Sequence, residues 1–349
     1  MFEFILNLQM FASGSVVNTT TGNVNAETGA ANATGAMSIG MKTYYETEML
    51  ENARSELYFT QFGKKVTLPA KHGRTMEFRK WNTLPNAEEL VEGVIPDGKE
   101  LGETYLTAAL KQHGMFVAIS DLLDLHHIDP VLQGATEELG ASSGETRDKL
   151  CRNELQTATN VMYCDTETEA DGKVTYTTPT NYSGMSVGNN RLTPRMVNKA
   201  VTILKKNNAP TFSGGKYLAV IHPSVAEDLR NDKAWVEAHK YAKPEELYNG
   251  EIGELHGVRF VESNMAGIVK QEEKAIYLTM FFGKDAFGVI DPEGAGMETI
   301  IKDKGEVGGP LEQFSTVGTK FSMAAAILYP ERMLTVESLS SYSDIDEAN

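Results

Sequence analysis

The 349 residues are 41% hydrophobic and 23% charged, the make-up of a soluble globular protein. At ~100–200 residues per domain, two domains are expected. The 48 acidic and 32 basic residues leave a net charge of −16, which argues against sequence-reading of nucleic acid but not against enclosing it.

Cys151 and Cys164 form no CxxC pair and have no histidine at metal-ligand spacing, so neither a disulfide framework nor a zinc site is expected.

The opening MFEFILNLQMFA is apolar, with no Lys or Arg before Lys42 and with Glu3 where a signal peptide carries positive charge. It falls short of the ~20 apolar residues that span a bilayer. It reads as a short amphipathic segment that docks on a partner through Phe2, Phe4, Ile5, Leu8 and Phe11. Residues 13–40 are Ser, Thr, Asn, Gly and Ala with almost no charge, a flexible arm. Tyr45, Met49, Ala53 and Leu57 recur four apart, which predicts a helix over 41–62 that Gly63 stops.

Residues 64–118 read as an extended hairpin. RTMEFRKW alternates, a turn-rich acidic stretch follows, and a second extended run covers Tyr105 to Ile119. So long a polar connection is expected to reach outward. Arg74, Arg79 and Lys80 at the base oppose Glu88, Glu89, Glu92 and Asp97 in the connection, with Trp81 as apolar anchor.

Asp129–Pro130 is a helix start. Leu132, Leu139, Leu150 and Val161 lie close to whole turns apart, predicting a helix from 130 to about 162. Residues 165–192 turn polar. An α/β pattern then begins, with helices opened by Thr193–Pro194 and by Pro223, the latter running through SVAEDLRNDKAWVEAH. Strands are expected at KYLAVIHP, HGVRFVES, AIYLTMFFG and AFGVID. TKFSMAAAILYP and RMLTVES are expected to pair with Pro330 at the turn.

No motif carries catalysis. GxxxxGK[ST] and GxGxxG after a strand are missing, and the one GxSxG match, GASSG at 140–144, falls inside the helix expected from 130 to about 162 and not at the strand-to-helix turn of a nucleophile elbow. His126, His127 and Asp129 cluster, but one neighbouring pair and a carboxylate read as a polar loop before a helix rather than a metal site. No cofactor and no metal are expected.

Several segments together resemble one phage capsid family, the N4-type major capsid proteins. They are FTQFGKKVTLP (59–69), TMEFRKWNTLP (75–85), EGVIPDGKEL (92–101), ISDLLDLHHIDPVL (119–132), IHPSVAEDLRND (221–232), AHKYAKPEELYNGEIGELHGVRFVES (238–263), FGKDAFGVID (282–291) and STVGTKFSMAAAIL (315–328). The resemblance covers about residues 41–338. It implies an α+β tailed-phage capsid fold of the Hong Kong ninety-seven type. By analogy the N-terminal arm is 1–60, the extended hairpin loop 64–118, the peripheral domain with its long spine helix 119–192 plus 286–340, the axial domain 193–285 and the C-terminal tail 341–349.

The implied function is a major capsid protein that is not an enzyme. It would self-assemble as hexamers and pentamers into the icosahedral virion shell, built in the host bacterial cytoplasm. Expected partners are further copies of itself, a scaffolding protein, a portal and a decoration protein, with DNA enclosed without sequence-specific binding and no membrane. The amphipathic N-terminus is then expected on an adjacent subunit or the scaffold. The hairpin tip is expected over the next subunit's base or spine helix. An encapsulin-like compartment shell and a cytoplasmic enzyme with an unrecognised site stay open as alternatives.

Overall fold

The computed structural model describes residues 49, 57–69, 71, 73–81, 84, 86–87, 89, 98–126, 131–170, 173–186, 189–233, 235–236, 253–271, 274–293, 297–307, 311, 313–343 and 345–349. In chain order the strands are β1 Lys64–Leu68, β2 Thr75–Trp81, β3 Glu103–Ala109 and β4 Lys111–Ser120. Helices α1 Asp121–His126 and α2 Val131–Leu155 precede β5 Val161–Tyr163, β6 Thr166–Ala170 and β7 Lys173–Thr177. Next come α3 Pro194–Lys206, β8 Tyr217–Ile221, α4 Pro223–Asn231, β9 Glu254–Leu255, β10 Val258–Glu262, β11 Ile268–Gln271 and β12 Lys274–Phe282. The last are β13 Phe287–Pro292, β14 Met297–Lys302, α5 Lys304–Val307, β15 Phe314–Ile327 and β16 Met333–Ser338. The chain divides into two compact units.

The first unit takes in residues 111–147 and 292–323. The first half of β15 pairs antiparallel with β4 on one side (Phe314 with Ser120 through Met323 with Lys111) and with β14 on the other. Alternation sends Val317 and Ile301 to one face, where they pack with Leu139 of α2, Leu132 and Met49. On the same face the Arg147 guanidinium lies 5.7 Å over the Phe321 ring, against which His113 stacks.

The second unit holds a seven-stranded mixed sheet of order β5-β16-β12-β8-β10-β9, with β11 against β12. β8 pairs parallel with β10, and all five of its residues are buried, as a strand covered on both faces requires. Pro194 opens α3, and Met196, Val197, Ala200, Val201 and Leu204 form its buried stripe against β8 and β12. In the same unit β2 and β3 pair antiparallel from Thr75 with Ala109 to Trp81 with Glu103. The root of that hairpin is core, because Met76, Phe78 and Ala108 pack with Leu68, Leu110, Ile290 and Ala326.

Several expectations need correction. The helix expected from 130 to 162 ends at Leu155. The Thr157 and Ala158 amides tighten onto Glu154 and Leu155, and the Thr157 hydroxyl donates to the Glu154 carbonyl. Asn160 then bonds to Pro330 and Met333, so Val161 enters β5 beside β16 instead of completing the helical stripe.

The helix expected over 41–62 has Met49 helical, but residues 57–62 form turns, with the Phe62 amide bonded to the Phe59 carbonyl. The second extended run breaks at Leu110, whose amide bonds back to Arg74. Beyond it β4 leaves the hairpin for β15. β15 and β16 are both strands but do not pair, because the 3₁₀ turn at Pro330–Arg332 redirects the chain into the seven-stranded sheet.

The helix expected from Pro223 onward is interrupted after Asn231, where Asp232 is extended, and residues 233, 235 and 236 are helical again. Within the polar stretch 165–192 the Thr-rich β6 and β7 form an unforeseen hairpin. β5 and β16 share one sheet with β8 and β10, so they lie with residues 193–285 rather than apart from them. Residues 1–40 and Asp129–Pro130 lie outside the described residues.

Candidate inter-subunit surface

On the hairpin, the guanidinium of Arg79 pairs with Glu103 across the ladder at 3.2 Å and lies 5.6 Å over the Tyr105 ring. The Tyr105 hydroxyl donates to the same carboxylate, which pushes its pKa up. Lys80 reaches Glu331 at 2.9 Å, its ammonium 4.8 Å from the Tyr329 ring centre. That contact holds the Glu331 carboxyl below its usual range. Two of the three cations expected to meet a neighbour's acidic tip are thus already paired within their own chain.

Arg74 is exposed, and so is Glu89. Trp81 ends β2 opposite Glu103, but its side chain lies outside what is described. Phe4, Ile5, Leu8, Phe11, Glu88, Glu92 and Asp97 also lie outside the described residues.

The outer face of the β14–β15–β4 sheet, opposite Val317 and Ile301, was not foreseen as a surface. An antiparallel sheet with one face in water should be polar there. This one presents Phe116, 72% exposed, together with Phe314 and Ala118. Gly318 stands directly opposite Phe116, and a Cβ there would lie 3.0 Å from the Phe116 Cβ. At Gly114 a Cβ would lie 2.8 Å from the Thr319 carbonyl oxygen. The two glycines floor a groove of about 320 Å³ walled by Phe116 and Ile300 and rimmed by Lys302 and Lys320, the latter paired with Glu298 at 2.9 Å. Exposed apolar patches of this kind mark contact surfaces. The available signal was KQHGMFVAIS, whose 112–118 positions carry a phenylalanine where a solvated face would be polar.

Among the described residues no three His, Cys, Asp or Glu side chains converge as metal ligands, and no helix is long and apolar enough to cross a membrane. Cys151 and Cys164 form no disulfide and are buried, and burial pushes the Cys164 thiol far above its ordinary range.

The sequence pattern of the family described as phage capsid protein matches residues 103–332. The chain therefore belongs to the phage capsid protein family. Its fold is the tailed-phage capsid fold of the Hong Kong ninety-seven type. The capsid of Cyanophage P-SCSP1u superimposes with a TM-score of 0.57 at 13% identity, covering 82% of this chain and 89% of that one. The capsid of Ralstonia phage GP4 does so at 0.57 and 14% identity over 82% and 88%. The capsid of Helicobacter pylori bacteriophage KHP30 gives 0.58 at 12% over 81% and 88%. No curated protein matches by sequence.

Proposed function

We propose that this capsid protein is the major shell subunit. Copies assemble through hexamers and pentamers into an icosahedral shell that encloses the double-stranded DNA of a tailed bacteriophage. The family match over residues 103–332 carries this reading. The protein acts structurally, without catalysis. It assembles in the host cytoplasm with a scaffolding protein and a portal, and a decoration protein completes the virion. In this reading the first unit is the peripheral domain, with α2 up to Arg147 in its spine, and the α/β sheet of the second is the axial domain.

The hairpin tip of one copy lies over the outer groove of the next copy's β14–β15–β4 sheet. The connection is acidic at Glu88, Glu89, Glu92 and Asp97 and contains Leu90, Val91, Val94 and Ile95. The groove offers exposed Phe116 between lysines, so charge and apolarity both match. Exposed ion pairs contribute only ~0–1 kcal/mol each, so Phe116 supplies the affinity and the charges set register.

Two variants test the contact. Phe116→Ser, and Glu88, Glu89 and Glu92 changed together to Lys, should leave the monomer folded by circular dichroism. Both should lower the yield of sedimenting shells, and the charge reversal should do so most at low salt, where screening is weak. Wild-type shell yields from both at low salt would refute the contact and leave shell formation itself standing.

A further inference from the structure

Glu337 sits near the end of β16, 4% exposed, an unusual place for a carboxyl. Its Oε1 accepts a hydrogen bond from the Tyr182 hydroxyl at 3.1 Å, while Oε2 is buried with no hydrogen-bond partner among the described residues. Around it are Met185, Ile276 and Leu339, with the Tyr163 and Tyr182 rings edge to face at 5.4 Å. Among the described residues, the titratable groups facing it are Tyr163 from β5 and Tyr182 from the 3₁₀ turn Tyr182–Gly184. The amine of Lys274 from β12 is taken by the Met185 carbonyl at 2.9 Å. None of these supplies a counter-charge to Oε2.

The segment above Glu337 is also anchored on both sides, before it by the Thr178 hydroxyl, which donates to Asp165, and after it by Asn190. Asn190 is fully buried and bonds to the Cys164 carbonyl and the Thr166 hydroxyl, and the Leu339 amide bonds to its carbonyl. The turn itself rests on the sheet through Tyr182–Glu337, Lys274–Met185 and the burial of Met185.

We propose that Glu337 is a proton-controlled latch for residues 181–186. Neutral, the carboxyl lies in its apolar niche and seats Tyr182. Ionised, it is an unpaired buried charge that draws in water and unseats the turn. Burial pushes its pKa from 4.5 to about 7, and the Tyr182 hydroxyl is pushed up beside it. The seated state binds the proton more tightly than the open one. Seating is therefore complete below pH 4.5, weakens as pH rises, and reaches its minimum above about 7.

Hydrogen–deuterium exchange on the full-length protein tests the latch. Protection of the Gly184, Met185 and Ser186 amides, corrected for intrinsic exchange, should fall by up to about tenfold per pH unit between about pH 5 and 7, then level off. Glu337→Gln should hold protection constant across that range, and Glu337→Leu, which cannot ionise, should do the same if the glutamine variant folds poorly. Tyr182→Phe removes a donor to the ionised form and should move the transition to higher pH. Flat wild-type protection over that window would overturn the latch, and so would an unchanged transition in both Glu337 variants. Shell assembly is read separately, so neither outcome bears on the capsid function.

Discussion

Lys80 donates to both carboxylate oxygens of Glu331, at 2.9 and 3.2 Å, across 251 residues of sequence. The pair fastens the hairpin strand β2 to the turn that ends β15. With Glu331 57% exposed, solvent screens it. Lys80→Met and Glu331→Gln should each change unfolding free energy by less than about 1 kcal/mol in urea titrations. A larger loss would mean that the hairpin root depends on this pair and not on Met76, Phe78 and Leu68.

Asp148 should be far more sensitive. It is fully buried, and its Oδ1 accepts from the backbone amides of Phe59 at 2.8 Å and Thr60 at 3.1 Å and from the Thr60 hydroxyl. Asp148→Ala leaves those buried donors unpaired and should cost about 2–3 kcal/mol. Asp148→Asn, which keeps an acceptor, should cost less. Equal losses from both would show that the hydrogen bonds are not what matters.

The same residue carries a pH signature. Burial pushes its carboxyl from 3.8 up to about 6, outweighing the hydrogen bonds that favour ionisation. A folded-state pKa above the unfolded one means stabilisation that is complete below 3.8 and lost as pH rises through about 6. The difference in unfolding free energy between wild type and Asp148→Asn should therefore shift against wild type across that window, by at most ~3 kcal/mol. A difference independent of pH would contradict this.

Gly114 is required by the close approach of β4 to β15. Gly114→Val should lower stability by about 1–3 kcal/mol and weaken the β4–β15 ladder, because its Cβ meets the backbone oxygen of Thr319. Gly98, where a Cβ would meet none of the described residues within 4 Å, is the control and should tolerate alanine. Thermal melts that do not separate the two variants would contradict the stated cause.

How much of this the sequence disclosed depended on whether a signal was local. KYLAVIHP and AIYLTMFFG are continuous apolar runs and appear as β8 and β12, and Thr193–Pro194 starts α3 where expected. The hairpin ladder of β2 and β3 follows from alternation in TMEFRKW. The stop at Leu155 was hidden, because Val161 fits the helical period and only its pairing with Thr335 of β16 decides otherwise. β15 and β16 read as partners because they are neighbours in sequence, while their true partners lie elsewhere in the chain. At the candidate surface, charge pattern picked out Arg79 and Lys80 but could not show that Glu103 and Glu331 take them. The groove at Phe116 arises only when Gly114, Gly318 and Ile300 come together from three strands.

Electron microscopy of the purified protein, with and without the proposed scaffolding protein and over a range of concentrations, tests the central claim most directly. Closed icosahedral particles whose capsomers are hexamers and pentamers of this chain are expected. A monomer or small oligomer under every condition would contradict it.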